Sequence, residues 1–325
     1  MQFILGITGD LLTNEGNPCF GLQPLEALYK EKKILVEWID PSIQILSEKE
    51  TTKYDAILLN SPRLTKESIN PKNNKVKIVS RFGVGYDSVD LDVLKKNNIV
   101  LTNTPNAVRR PVAVASLTMI LSLSGKLMIK DNLVREGRWN ERTNHMGVGL
   151  INKTLGIVGF GGIGREFVKI SKGLFKNIIC YDPFVGKEEM KNLQVNKVGF
   201  DEIANLSDFL VILCDLNEKT RGMIDSTFLN KMKSSSYLIN LSRGPVVNEN
   251  DLIASLKENK ISGAGLDVMT NEPIEENNEL LNLKNTILTP HSLCWTDECF
   301  DSIATEAITS ILNYFNKKKI ANRVV

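Results

Sequence analysis

The chain holds only two histidines, His145 and His291, so a proton-transfer site built on imidazole has two candidates. His291 follows Pro290 at the end of a short apolar run, Thr286 to Thr289, that reads as a strand. His145 lies in a loop-rich passage, Gly137 to Ile151, with no strand end behind it and no acid at recognisable spacing, and reads as a loop or interface residue. Arg243 follows a second apolar run, Tyr237 to Asn240. At the carboxyl end of a strand, where ligands bind in open α/β sheets, its planar guanidinium would hold a carboxylate bidentately, although an Arg there also serves as a plain strand-end partner. A cation for a carboxylate and a base for a hydroxyl proton are two of the three parts that oxidation of a 2-hydroxy acid requires; the third is a hydride acceptor.

The place for that acceptor is Leu155 to Arg165, L-G-I-V-G-F-G-G-I-G-R, a buried-strand run turning through glycines into a helical pattern. In this G-x-G-x-x-G spacing, Gly159 permits the tight turn, Gly161 lets a pyrophosphate approach the backbone, and Gly164 allows close helix packing. The backbone of Gly162 and Ile163 then belongs to the helix N-terminus, where free N–H groups and the dipole favour an anion. Roughly twenty residues on, Asp182 ends a second strand, Asn177 to Tyr181, at the place for a carboxylate on the adenosine ribose. A carboxylate there accepts from the 2′-hydroxyl and repels a 2′-phosphate, which selects NAD over NADP; the plainer reading is a turn Asp before Pro183. The pair Gly83 and Gly85 around Val84 leaves backbone N–H groups free to face a substrate carboxylate, or serves only a tight turn.

These positions need a scaffold, and 325 residues, 42% hydrophobic and 24% charged, supply two domains with substantial cores. Phe3–Thr8, Ile34–Trp38, Asp55–Leu59, Val76–Ser80 and Ile99–Thr102 read as strands of a first α/β unit, with Leu22–Lys30 a helix that turns Leu25, Leu28 and Tyr29 to one side. A long helix is expected over about 110–136, apolar on most sides through Val114 to Leu127 and hence buried in one domain or between two subunits. Strand and helix alternate again from Leu155, and a last helix runs from about Asp297 to Asn316. Both units therefore read as parallel sheets with helices on their faces.

Net charge is +2, which gives no reason to expect nucleic acid or a membrane surface as partner. No run of apolar residues approaches a membrane span, and the N-terminus lacks a signal-peptide pattern. The five cysteines are odd in number and scattered, as for reduced thiols in a cytoplasmic protein, and no His/Cys/carboxylate cluster has metal-ligand spacing.

With the glycine loop, Asp182, R-G-P at Arg243 to Pro245, L-D-V at Leu266 to Val268, N-E-P at Asn271 to Pro273 and T-P-H at Thr289 to His291 in order, the chain resembles the NAD-dependent D-2-hydroxyacid dehydrogenases over nearly its whole length. Y-D-P-F at Tyr181 to Phe184 and S-R-F-G-V-G-Y-D at Ser80 to Asp87 are most similar to the phosphoglycerate dehydrogenase and glyoxylate/hydroxypyruvate reductase branches. The resemblance implies a Rossmann NAD-binding domain, residues 104–292, inserted into a flavodoxin-like substrate domain, residues 1–103 and 293–325, both doubly wound. It also implies that Glu272 hydrogen-bonds and orients His291 as an acid/base pair and that Asp267 faces the nicotinamide end; Val84, Gly85 and Arg243, from their own chemistry, and Trp295, which departs from the family pattern, are the candidates to meet a small 2-hydroxy or 2-keto acid. A homodimer is expected from the apolar long helix. The rival is an NAD(H)-sensing, corepressor-like binding protein with little or no turnover.

Three departures bear on the substrate. Asn60 stands where phosphoglycerate dehydrogenases commonly carry an Arg. The usual A-E pair of the long helix is Ala113 and Val114, preceded by Arg109, Arg110 and Pro111, and Arg109 or Arg110 is a candidate for a second anionic group. Cys294 and Trp295 follow His291, with Trp295 either narrowing the pocket or buried in the core. Glu272 in place of a Gln disfavours formate dehydrogenase, and Val84 in place of a Lys disfavours phosphite dehydrogenase.

Overall fold

The computed structural model describes residues 2–325 and divides into two compact units, one of residues up to Val108 together with Trp295–Val325, the other Arg109–Cys294. The divisions fall a few residues later than the sequence motifs suggested. The reason is local: Thr104 bonds Gly83 through both its amide and its hydroxyl, and Glu306 accepts from Asn106 Nδ2 and the Ala107 amide, tying these residues to the first unit.

The first unit is a five-stranded parallel sheet of β1 (Phe3–Thr8), β2 (Ile34–Ile39), β3 (Ala56–Leu59), β4 (Ile78–Arg81) and β5 (Val100–Thr102), in the order β2-β1-β3-β4-β5. That is the flavodoxin-like order, with its switch point between β1 and β3. All four residues of β3 are buried, as an apolar run covered on both faces requires. The helix Asp297–Phe315 buries Phe300, Ile303, Ala304, Ala307, Ile308 and Ile311. Its register is set by a buried polar chain in which Thr102 Oγ1 donates to Ser80 Oγ at 2.9 Å and Ser80 Oγ donates to the Ala307 carbonyl at 3.0 Å. The tail then closes the sheet edge, with the Val324 amide donating to the Leu101 carbonyl. One expectation fails here: Leu25 and Leu28 are buried, but Tyr29 is 59% exposed, because the segment is a 3-10 turn, Gln23–Leu25, running into a single α turn, Glu26–Tyr29.

The second unit is a seven-stranded parallel sheet of β6 (Thr154–Val158), β7 (Asn177–Tyr181), β8 (Asn196–Lys197), β9 (Phe209–Ile212), β10 (Tyr237–Asn240), β11 (Gly263–Leu266) and β12 (Thr286–Leu288). The order β12-β11-β10-β9-β6-β7-β8 is the dinucleotide-binding arrangement, which reverses between β6 and β9. Phe209 and Val211 enter one core cluster and Leu210 and Ile212 the other, so period-two alternation feeds both faces of one strand. Two-residue β8 had no signal of its own in the sequence.

The expected single helix over 110–136 is two helices, Arg109–Gly125 and Leu127–Arg135, inclined by 57°. The break is caused by the chain that docks there. The Ser124 carbonyl, which a continuing helix would give to residue 128, accepts instead from the Val148 amide at 2.8 Å, and Lys126 adopts a left-handed φ of 53°. Within the single chain the first helix is buried on one side, where Ala113, Ala115, Met119, Ile120 and Leu123 enter the core, while Val114 and Leu121 are exposed. No single helix among the described residues is long and apolar enough to cross a membrane. A left-handed residue with a Cβ carries steric strain, so Lys126→Gly is expected to stabilise the chain by about 1 kcal/mol. Calorimetric melting checks this, and a lowered Tm would show that the bend is held by the Lys126 side chain instead.

Candidate active site

At the switch point of the second unit, Gly159 leaves β6 with φ 101°, and a Cβ there would lie 2.7 Å from the Cys214 amide nitrogen after β9. A Cβ on Gly164 would likewise lie 2.4 Å from the Gly159 carbonyl oxygen, whereas nothing lies within 4 Å of a Cβ at Gly161. The turn is thus closed where strand and helix must approach and open at the N-cap of the helix Gly162–Ser171. This is the form of a cradle for a dinucleotide pyrophosphate. Asp182 does more than end β7. Its Oδ2 accepts from the Phe160 amide at 2.7 Å, and its Oδ1 from the Phe184 and Val185 amides at 2.8 and 3.2 Å, so it fastens the glycine turn and its own turn together.

Three neighbouring strand ends carry the remaining groups. After β10, buried Asn240 donates to the Arg243 carbonyl and accepts from the Ser242 amide and hydroxyl, which folds the loop back on itself. A Cβ on Gly244 would sit 1.9 Å from the Met269 carbonyl, so Arg243 is set directly beside the turn that follows β11. In that turn Glu272 Oε1 accepts from the Met269 amide at 3.0 Å, and Oε2 lies 2.8 Å from His291 Nδ1. Both side chains are part-exposed, at 39% and 46%.

His291 is delivered to Glu272 by Asp267. Asp267 is buried, and its Oδ1 accepts from Thr289 Oγ1 at 2.6 Å, the Ser292 amide at 3.0 Å and the Leu293 amide at 3.1 Å. Between those anchors His291 takes a left-handed φ of 53°. Burial pushes the Asp267 carboxyl up, only partly offset by the Thr289 hydroxyl, the two amides and the charge of His291. What the structure shows of Asp267 is a loop-holding carboxylate; neither this nor the clamp by Asn240 was visible as spacing. His145 caps the 3-10 turn Trp139–Asn144, and no carboxylate pairs with its ring among the described residues.

In the first unit, the Val84 carbonyl accepts from Asn103 Nδ2 and the Gly83 amide donates to Thr104 Oγ1, so the loop bearing Val84 and Gly85 is held by the segment after β5. Trp295 is 54% exposed, which excludes the buried-core alternative, and packs edge-on to Phe300 at 4.9 Å, with Phe300 in turn against Phe82. Asn60 Nδ2 donates to Asp10 Oδ2 at 2.8 Å, as does the Ser61 amide.

A dinucleotide turn with a histidine–carboxylate pair and an arginine at adjacent strand ends is the set of groups that hydride transfer coupled to proton transfer on an anionic substrate requires. Residues 117–292 match the family described as "D-isomer specific 2-hydroxyacid dehydrogenase, NAD binding domain". The chain is 34% identical to a glyoxylate reductase of Thermococcus litoralis over 314 residues, 94% of this chain and 93% of that protein. It is 32% identical to a D-3-phosphoglycerate dehydrogenase of Archaeoglobus fulgidus over 85% of this chain, and there it spans about half, 52%, of the relative's length. Among solved structures it resembles a D-lactate dehydrogenase from Aquifex aeolicus complexed with NAD and lactic acid, with a TM-score of 0.83, 26% identity and 96% of each chain covered. The chain belongs to the D-isomer specific 2-hydroxyacid dehydrogenase family, a family of NAD-dependent oxidoreductases, and its coenzyme is NAD.

Burial acts to raise the Glu272 pKa, but the hydrogen bond and charge of His291, the Met269 amide and the charge of Arg243 outweigh it and hold the carboxyl below its ordinary 4.5. A carboxyl depressed on folding contributes stability that is present above its unfolded pKa and is lost as pH falls through the folded one. The Tm difference between the wild type and Glu272→Gln should therefore shrink as pH drops below 4.5. A difference that grows on acidification would contradict this account of the pair.

Proposed function

We propose that the protein is an NAD-dependent oxidoreductase that interconverts a small D-2-hydroxy acid and its 2-keto acid. The observation that carries the reading is the His291 Nδ1 to Glu272 Oε2 contact of 2.8 Å, beside Arg243, in an NAD-binding domain of this family. With Nδ1–H held by the carboxylate, the ring keeps its Nε2 lone pair outward. NAD, when bound, accepts the hydride from C2 in oxidation and, as NADH, returns it in reduction. Nε2 takes the hydroxyl proton as the C2–O bond becomes a carbonyl, and in reduction the imidazolium donates it back. Arg243 holds the substrate carboxylate, and substrate contacts are assigned to Val84, Gly85 and Trp295. Gly159 to Gly164 hold the pyrophosphate and Asp182 the ribose, its second task beside fastening the turn.

An unphosphorylated substrate is supported by Asp10. Asn60 has its amide hydrogens directed at Asp10 Oδ2 and Ser61 Oγ and its Oδ1 towards Arg81 Nη1 at 3.5 Å, so a phosphate placed there would meet the Asp10 carboxylate as well as the one guanidinium. The near full-length match to a glyoxylate reductase agrees with a small 2-keto acid. Exposed Val114, Leu121, Leu127, Met128 and Val134 support a homodimer, and five free thiols a cytoplasmic location.

Steady-state NADH oxidation tests the reading. Glyoxylate or hydroxypyruvate should exceed 3-phosphohydroxypyruvate in kcat/KM by about tenfold or more, and a preference for the phosphorylated acid would overturn the role given to Asp10. His291→Ala should lower kcat by roughly a hundredfold to ten-thousandfold while NADH still binds; retained turnover would remove the acid/base assignment. Asp182→Ala weakens both coenzymes through the loosened turn, so the informative quantity is the NADH/NADPH affinity ratio, expected to fall. An unchanged ratio would leave Asp182 only its structural task.

A further inference from the structure

We infer that Arg109 is a coenzyme ligand that supplies the cation for the NAD pyrophosphate, in a space kept open by Gly162. Gly162 is the first residue of the ten-residue helix that follows the glycine turn. A Cβ built on it would lie 2.5 Å from Arg109 Nε and 3.1 Å from Cδ and Cζ, so the guanidinium of Arg109 rests on the bare backbone of this residue. Both residues belong to the second unit.

Charge argues for the same assignment. A pyrophosphate brings two negative charges to a helix N-terminus worth about half a unit of positive charge, and no residue from Gly159 to Gly164 has a cationic side chain. Three arginines lie around this turn, and two are engaged elsewhere. Arg110 donates to Glu166 at 2.9 Å, where Lys169 also pairs. Arg165 pairs with Glu189 and lies over the Phe160 ring at 5.1 Å from its centroid. Arg109 is exposed and has no acidic partner among the described residues. Its fork of N–H donors suits two phosphate oxygens, and the side chain already covers the helix start without an acid to draw it away. Of the two arginines in the R-R-P stretch, then, Arg110 is a structural partner of Glu166 and Arg109 serves the coenzyme, not a second anionic group on the substrate.

The inference rests on the glycine turn being the pyrophosphate cradle, and equilibrium binding separates the two. Wild-type protein is titrated with NADH by fluorescence, and ADP and adenosine are then measured by displacement. Arg109→Ala should weaken NADH and ADP by about tenfold or more and leave adenosine unchanged, since only the first two carry a diphosphate. Arg109→Lys should restore part of the loss, and the Km for the keto acid at saturating NADH should not move. Gly162→Ala gives a second route, since its methyl group displaces the guanidinium. It should weaken NADH in the wild type but scarcely in the Arg109→Ala background, a coupling that a merely misfolded variant would not show. Unchanged ADP affinity in Arg109→Ala, an equal loss for adenosine, or an effect on the keto acid alone would overturn the assignment. If wild-type protein bound NADH without ADP competing, the cradle itself would be the part at fault.

Discussion

A buried carboxylate must find donors, and the arrangement of the strand ends that carry Glu272 and His291 depends on where Asp267 finds them. One oxygen collects a hydroxyl and two amides, all from Thr289 to Leu293. The loop after β12 is thereby drawn onto the end of β11, and His291 is held within it at a backbone angle that a free chain rarely visits. Glu272 leaves the same strand end five residues later and is steadied by the Met269 amide. Both partners of the 2.8 Å contact are thus referred to one strand, and their separation does not rely on long flexible side chains meeting by chance.

The same economy recurs elsewhere in the fold. The cores of both sheets are apolar on both faces, and apolar packing by itself is non-directional. Short polar chains supply the direction. Asn240 shapes the Arg243 loop, Asp182 joins the glycine turn to the end of β7, Thr104 and Asn103 hold the Val84 loop, and the Thr102–Ser80–Ala307 chain sets the register of the last helix. In the low dielectric of the interior each such bond is strong when made and costly when missing, which favours one arrangement over its neighbours.

Much of the fold was legible because strands buried on both faces are written as continuous apolar runs. β1, β7 and β10 begin and end where those runs do. The segment 110–136 was misread for a physical reason: its composition favours helix throughout, and only the docking of Val148 on the Ser124 carbonyl breaks it. Tyr29 was misplaced because a 3-10 turn rotates side chains by a different angle from an α turn. Trp295 had two readings of equal standing in the sequence, and its place beside Phe300 is a matter of how the chain returns to the first unit.

What the sequence determined by itself was chemical type and local geometry: a glycine spacing that only a tight strand-to-helix turn explains, a histidine and an arginine at strand ends, and the alternation that makes two parallel sheets. These are set by steric limits and periodicity acting within a few residues. What only the tertiary structure decided was which groups hold which. Asp267 is one residue past its strand and more than twenty from the loop it anchors, and Arg109 lies over fifty residues before the glycine on which it rests. Such pairings leave no mark on spacing, because they are made by chain segments that become neighbours only when the sheet assembles and brings its strand ends side by side.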